Sequence, residues 1–195
     1  MSEADQERWN QRYREGYYAD RPYPVAFLEG NIGMFTPGRA LDIACGLGRN
    51  ARFLAQHGFS VVGIDISDYA LTLASEHPSS TELNIEYRQH DLDCGLPELG
   101  KFDLITIIRY ANRPLLASID RYLSPNGYAL IELPLLYDCD DRPLAGPTEP
   151  KYRMQRHEVQ SLLKNVQIEF GFEGLIKDPD GRDAAVSQWI AQKIP

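Results

Sequence analysis

The chain has 195 residues, of which 43% are apolar and 25% charged, and a formal net charge of −8. That length supports one domain with a full core. The acidic balance argues against a generic binder of nucleic acid or anionic membrane, which needs clustered Lys and Arg, and no apolar run reaches the length of a membrane span.

The first residues, Met1-Ser2-Glu3-Ala4-Asp5, are polar and acidic, unlike a signal or transit peptide. Residues 3–16 read as a helix that puts Trp9 and Tyr13 one turn apart on one face, and Pro22 and Pro24 break it. Residues 24–35 form a second short helix, stopped by Pro37-Gly38. Apolar β-like runs follow at 39–44, 60–66, 85–91, 102–109 and 128–134, with helical stretches at about 49–57, 68–76 and 113–123 between them. Ser67 is placed to cap the second of these helices, and Asn112 with Pro114 to open the third. Short strands alternating with helices predict an α/β fold of βαβ units with a parallel sheet and right-handed crossovers. Residues 104–108 are nearly continuous apolar, as suits a central strand buried on both faces. Residues 135–152 are rich in Pro and Asp and read as a surface loop or lid. A helix at about 155–164 then precedes strand-like runs at 166–174 and 185–193. The turn Asp178-Pro179-Asp180-Gly181 makes these a β-hairpin, so the last strand runs antiparallel to its neighbour.

The cysteines Cys45, Cys94 and Cys139 form no CxxC pair, and the scattered His57, His77, His90 and His157 form no zinc signature, so no metal site is expected. Sparse, odd-numbered thiols suggest a reducing cytoplasm.

The chemistry is concentrated in Leu41-Asp42-Ile43-Ala44-Cys45-Gly46-Leu47-Gly48-Arg49-Asn50, followed by Val61-Val62-Gly63-Ile64-Asp65. A strand runs into closely spaced glycines, and the next strand ends in a carboxylate suited to ribose hydroxyls. Gly46 to Ala51 also fits G-x-G-x-x-A, with Asp65 19 residues after Gly46, so a nicotinamide-dependent oxidoreductase is an alternative. Asp42 favours another cofactor. A carboxylate beside this turn repels a pyrophosphate but attracts the sulfonium and α-ammonium of S-adenosylmethionine.

On these residues the chain resembles the class I S-adenosylmethionine-dependent methyltransferases. Asp42 to Gly48 is similar to their first motif, D-x-G-x-G-x-G, with Ala44 in place of the first glycine. Phe102-Asp103-Leu104-Ile105 and Leu123-Ser124-Pro125-Asn126-Gly127 resemble the fourth-strand and L-x-P-G-G motifs. The resemblance implies a Rossmann-like seven-stranded sheet of order 3-2-1-4-5-7-6, strand 7 antiparallel, with helices on both faces. It implies a cofactor site built from Asp42, Ala44, Cys45, Gly46, Gly48 and Asn50. Asp65 with Ile66 would serve the ribose, and Asp91 with Leu92 the adenine. Trp9-Asn10-Gln11-Arg12-Tyr13, Gly48-Arg49-Asn50 and Arg109-Tyr110 look like the thiopurine- and tellurite-type group, in which an N-terminal helix covers the cofactor. Trp9 and Tyr13 would then line the pocket, or only pack the helix on the core.

Methyl transfer from a sulfonium is a direct displacement that needs alignment and exclusion of water, and a base only where the nucleophile must lose a proton. Arg109 and Tyr110 follow the most apolar strand at the crevice and are the expected catalytic residues. Arg109 would orient an anionic acceptor or the cofactor carboxylate, or instead form an ion pair that holds the loop. The expected reaction transfers a methyl group to a small molecule such as a thiol or metalloid oxyanion, leaving S-adenosylhomocysteine, in a monomer or dimer. A non-catalytic S-adenosylmethionine-binding protein is a further alternative. The expected organisation is one domain over 1–195, with a helical cover (1–37), a cofactor-binding core (38–134), and a lid loop, helix and hairpin (135–195).

Overall fold

The computed structural model describes residues 3–19, 21–80, 82–138 and 143–194. Cys139 and the middle of the 135–152 loop lie outside the described residues. Seven strands form one sheet: β1 (Arg39–Ile43), β2 (Ser60–Asp65), β3 (Ile85–Gln89), β4 (Phe102–Ile108), β5 (Leu123–Pro134), β6 (Val166–Lys177) and β7 (Asp183–Lys193), in the order β3-β2-β1-β4-β5-β7-β6. The strands β1 to β5 pair in parallel, and β7 is antiparallel to both β5 and β6. The predicted strand order is the observed one.

Strict alternation along the central strands explains the two layers. Leu41 and Ile43 of β1 and Ile105 and Ile107 of β4 enter one core with Leu116 and Val159, whereas Ala40, Leu104 and Ile108 enter the other with Leu28 and Leu54. The helices α1 (Glu3–Arg14), α2 (Ala26–Asn31), α3 (Arg49–Gln56), α4 (Asp68–Glu76), α5 (Arg113–Leu116) and α6 (Glu158–Leu162) surround the sheet. Ser67 caps α4 by accepting from Ala70 N–H at 3.0 Å, and Asn112 caps α5 by accepting from Leu115 N–H at 3.0 Å.

Two expectations are corrected. The helix predicted over 113–123 stops at Leu116 and gives way to a 3₁₀ turn at Ile119–Arg121. Ser118 donates its hydroxyl back to the carbonyls of Pro114 and Leu115, both at 3.1 Å, which tightens the helix end. The fifth strand begins at Leu123 rather than 128, because Phe102 pairs with Leu123 before the register shifts to Leu104 with Tyr128. Residues 124–127 bulge out between these pairs, with Asn126 left-handed at φ +62°. The described ends of the 135–152 segment are mostly exposed, as expected of a surface loop, and are anchored at two points. Leu135 N–H bonds to Ala185 O at 2.9 Å, Ala145 N–H bonds to Asp183 O at 2.8 Å, and Ala145 packs on Ala184 and Val186. Among the described residues, no helix is long and apolar enough to cross a membrane.

The bulge leaves no space at Gly127, where a Cβ would lie 2.9 Å from the Phe102 carbonyl and 3.0 Å from that of Ser124. Both obstacles are backbone, so Gly127→Ala is expected to cost about 1–3 kcal/mol by overpacking, seen as a lower urea midpoint with an unchanged slope.

Candidate active site

The crevice opens where β1 and β4 diverge. Past Ile43 the chain takes a left-handed conformation at Ala44, Gly46 and Gly48, with φ of +56°, +52° and +72°. Ala44, standing where the motif has glycine, carries a strain of about 1–2 kcal/mol that glycine would avoid. Cys45 N–H donates to Ile64 O at 3.0 Å and Gly48 N–H to Cys45 O at 2.9 Å, which closes the turn against β2. A Cβ on Gly46 would meet the Tyr13 hydroxyl at 2.5 Å, and one on Gly48 would run into the Tyr87 ring. These glycines therefore admit aromatic rings close to the backbone.

Two carboxylates flank the turn. Asp42 is fully buried, and its Oδ1 accepts from the Thr106 hydroxyl at 2.8 Å. Its Oδ2 has no hydrogen-bond partner among the described residues. Burial pushes the Asp42 carboxyl up to about 7, against the opposing pull of the Thr106 hydroxyl, Arg49 and the nearby Ala51 N–H. Asp65, also buried, accepts Gly46 N–H at 2.8 Å through Oδ2 and Ser67 N–H at 2.9 Å through Oδ1. Burial raises its pKa as well, although the Ser67 and Gly46 N–H groups favour the charged form. Asp91 stands at the end of β3 and opens a 3₁₀ turn by accepting from Asp93 N–H at 2.9 Å. Ile66 and Leu92 beside these acids are buried.

The cover is α1 and the segment after it. Buried Asn10 accepts from the Ser67 hydroxyl at 2.6 Å and donates to Asp68 at 2.7 Å, which locks α1 over the start of α4. The rings of Trp9 and Tyr13 lie 6.1 Å apart, those of Tyr13 and Tyr18 also 6.1 Å, and the Arg21 guanidinium sits 5.1 Å from the Tyr18 ring centre. Burial, then the charge of Asp65, holds the Tyr13 hydroxyl well above its ordinary pKa. Tyr13 thus stands over Gly46 beside the β2 acid. Asn50, expected at the cofactor, accepts from Val25 N–H at 3.1 Å through its side-chain oxygen and so anchors the start of α2.

The two residues after β4 diverge. Arg109, left-handed at φ +60°, places Nε 2.8 Å from Glu132 and Nη2 2.7 Å from Asp178. Burial opposes its charge, but Glu132 and Asp178 more than compensate and raise its pKa. Glu132 also accepts from Gln188 at 2.7 Å. Tyr110 turns the other way. Its hydroxyl accepts from Asn112 Nδ2 at 3.0 Å and reaches Asp93 at 3.4 Å, and burial pushes its pKa up to about 12. Asp93 and Asn112 line a cavity of about 410 Å³ with Leu92, Leu96, Ala111 and Tyr122. So Arg109 joins the β5 and hairpin side, and Tyr110 the β3 side.

Burial raises the Cys45 thiol well above its ordinary pKa, which makes it inert. Arg153 is buried and holds the carbonyls of Pro147 and Leu135 at 2.8 and 3.0 Å. Among the described residues, no group of three His, Cys, Asp or Glu is placed to hold a metal. Sequence reasoning missed Asn10 and the hairpin tip, where Asp178 meets Arg109 and Asp180 meets Arg21 at 3.2 Å. A polar residue buried on the helix face beside Trp9 was the one signal for Asn10, whereas Asp178 and Asp180 read only as turn formers.

The donor set fits a phosphate-free nucleoside with a cationic tail. A buried carboxylate oxygen without a partner waits at the turn, and the acids ending β2 and β3 lie on the same rim. Residues 40–127 match a family described as "Methyltransferase domain". A ubiquinone biosynthesis O-methyltransferase of Coxiella burnetii is 29% identical over 107 residues, which cover 54% of this chain and 45% of that protein. The chain thus spans just under half the length of this relative. TehB from Haemophilus influenzae has the same fold with a TM-score of 0.69 at 20% identity, covering 86% of this chain and 61% of that one. A structure titled for the conversion of a disulfide bond into a thioacetal group during echinomycin biosynthesis also scores 0.69, at 18% identity over 95% of this chain and 93% of the other. Turn, strand order and matched segment agree: residues 40–127 are similar to a methyltransferase domain, and the strand order β3-β2-β1-β4-β5-β7-β6 belongs to the fold shared with these solved neighbours.

Proposed function

We propose that the protein is an S-adenosylmethionine-dependent methyltransferase acting on a small molecule in the cytoplasm. The observation that carries this reading is Asp42, a fully buried carboxylate with a free oxygen beside the glycine turn. A dinucleotide would bring phosphate negative charge to that point, at a Coulombic cost. A cationic amino-acid tail supplies what Asp42 lacks. S-adenosylmethionine, when bound, supplies an electrophilic methyl group on a sulfonium, which passes to the acceptor as S-adenosylhomocysteine leaves.

The chain's own residues bind, orient and exclude water. Asp42 takes the cationic tail, Asp65 the ribose, and Asp91 with Leu92 the adenine edge. Residues 1–37 serve as the cover, with Trp9 and Tyr13 shielding the reacting centre, and residues 135–195 as the acceptor side. Arg109 acts by fixing the loop through Glu132 and Asp178. Tyr110, facing Asp93, lines the nucleoside side rather than the acceptor. No base is assigned, which suits an acceptor already anionic or weakly protonated at its nucleophile. The acidic net charge and the α1 cover over the glycine turn support a small acceptor over a macromolecule.

Calorimetry with S-adenosylhomocysteine is expected to show binding to the wild type and at least about tenfold weaker binding to Asp65→Ala, the worth of a lost hydrogen bond to a charged group. Absence of wild-type binding, with protection by a nicotinamide dinucleotide instead, would sink the reading.

Asp42 yields a second test, in which the sign matters. Its carboxyl titrates at about 7 in the folded chain and at 3.8 ordinarily, so between these values the folded state holds a proton that the unfolded state has lost. Its contribution to stability is therefore full below pH about 4 and declines as pH rises through about 7. Asp42→Asn removes that pH-dependent penalty. At pH 8 it is expected to be more stable than the ligand-free wild type by up to about 4 kcal/mol, read as a higher unfolding temperature. The same variant is expected to bind S-adenosylhomocysteine more weakly. A purely structural Asp42 would lower both quantities together.

A further inference from the structure

The rim of the site carries three arginines in different circumstances. Arg109 is engaged by Glu132 and Asp178 at 2.8 and 2.7 Å. Arg21 faces Asp180 at 3.2 Å, and Arg182 shares the same carboxylate at 2.6 Å. Arg49, the first residue of α3, differs from both. Among the described residues, nothing hydrogen-bonds to or ion-pairs with its guanidinium, and the side chain is half-buried.

That position is unfavourable for a cation on several counts. The first turn of α3 contains no acidic residue, so the helix dipole opposes the charge. Burial, then repulsion by Arg21 and Arg109, lowers the Arg49 pKa, and Asp42 and Glu132 oppose this only in part. Neither acid answers Arg49 directly. Glu132 is held by Arg109 and Gln188, and one Asp42 oxygen is held by Thr106. A charge kept against burial, dipole and like neighbours marks a place where local stability gives way to function. An arriving anion would relieve all three, and the planar guanidinium favours a two-oxygen partner.

We propose that Arg49, supported by Arg21, anchors the methyl acceptor through a carboxylate or comparable oxyanion, so that the substrate is a small anion. This rests on the methyltransferase reading above. Arg109, already paired on two sides, orients the loop and leaves the anion to Arg49. The acceptor's charged end then sits at the start of α3, between the glycine turn and the hairpin tip.

The test uses the full chain, wild type, Arg49→Met and Arg49→Lys, with labelled S-adenosylmethionine and matched acceptor pairs. These are 4-mercaptobenzoate against 4-methylthiophenol, and 3,4-dihydroxybenzoate against catechol, with selenite as an inorganic oxyanion. Binding of each anion to the S-adenosylhomocysteine-loaded protein is measured in parallel by calorimetry. The wild type is expected to bind or methylate at least one anionic probe about ten- to a hundredfold better than its neutral partner, the worth of a charge-assisted hydrogen bond. Arg49→Met is expected to abolish that preference and Arg49→Lys to keep part of it, with S-adenosylhomocysteine affinity unchanged in both. A preference that persists in Arg49→Met overturns the proposal, as does a wild type that takes no anionic probe. It also falls if Arg49→Met weakens S-adenosylhomocysteine but not 5′-methylthioadenosine, because Arg49 then holds the cofactor's own carboxylate. Wild-type protein that fails to bind S-adenosylhomocysteine removes the underlying reading, a separate outcome that takes this inference with it.

Discussion

The site depends on one buried carboxylate. Asp65 ends β2 and uses its two oxygens to hold two backbone N–H groups, Gly46 at 2.8 Å on the turn after β1 and Ser67 at 2.9 Å at the cap of α4. Both N–H groups sit where no strand or helix partner is available, so the carboxylate completes the hydrogen bonding of two chain ends at once. It also fixes the turn and the start of α4 in one frame, and α1 docks on that frame through Asn10, Ser67 and Asp68. Removing Asp65 would loosen the turn, the cap and the cover together. Its burial alone would favour the neutral acid. The two N–H bonds favour the charged form and leave lone pairs on each oxygen for a ribose.

The opposite wall of the crevice is assembled from sequence-distant charges. The hairpin between β6 and β7 brings Asp178 to Arg109 and Asp180 to Arg21, so the C-terminal element grips both the loop after β4 and the segment after α1. The Arg109–Glu132 pair is almost fully withdrawn from water on the Glu132 side, at 2% side-chain exposure. Such a pair is sensitive to the loss of either partner, because the survivor is left charged and buried. Arg21 also lies over Tyr18, which touches Tyr13, which stands on Gly46. A continuous line of contacts thus joins the hairpin tip to the glycine turn, and the cover is held at both ends.

Much of this was legible in the sequence, for physical reasons. Period-2 alternation set the faces of β1 and β4, and the spacing of glycine and acid fixed which strand ends met the crevice. Asn112 and Ser67 announced their caps because short polar side chains satisfy helix-start N–H groups better than any alternative. The end of α5 was less legible. Residues 113–123 carry a helical pattern, but Ser118 bonds back to Pro114 and Leu115 and the chain must feed β5 at Leu123. The partners of Arg109 and Asn50 were hidden for another reason, although an ion pair holding the loop was one of the two readings of Arg109. Their partners, Asp178 and Val25, lie 69 and 25 residues away, and local pattern says nothing about such pairings.

The strain in the backbone follows the same geography. Adjacent central strands β1 and β4 both end in a non-glycine residue with positive φ, Ala44 at +56° and Arg109 at +60°. This is where the strand order reverses and a crevice opens above the sheet. A left-handed residue directly after each strand turns the chain aside sharply, so that the two loops part and backbone faces the gap. Each costs about 1–2 kcal/mol relative to a relaxed conformation. The two positions differ in what holds them. Ala44 has no side-chain anchor and depends on the Cys45–Ile64 and Gly46–Asp65 bonds just beyond it. Arg109 is held by its own side chain, through Glu132 and Asp178. Glycine at 109 would ease the backbone but release both acids, whereas glycine at 44 would release only one methyl group packed on the core. The strained arginine is therefore part of how the crevice is kept open, and the strained alanine only a tolerated departure from the motif.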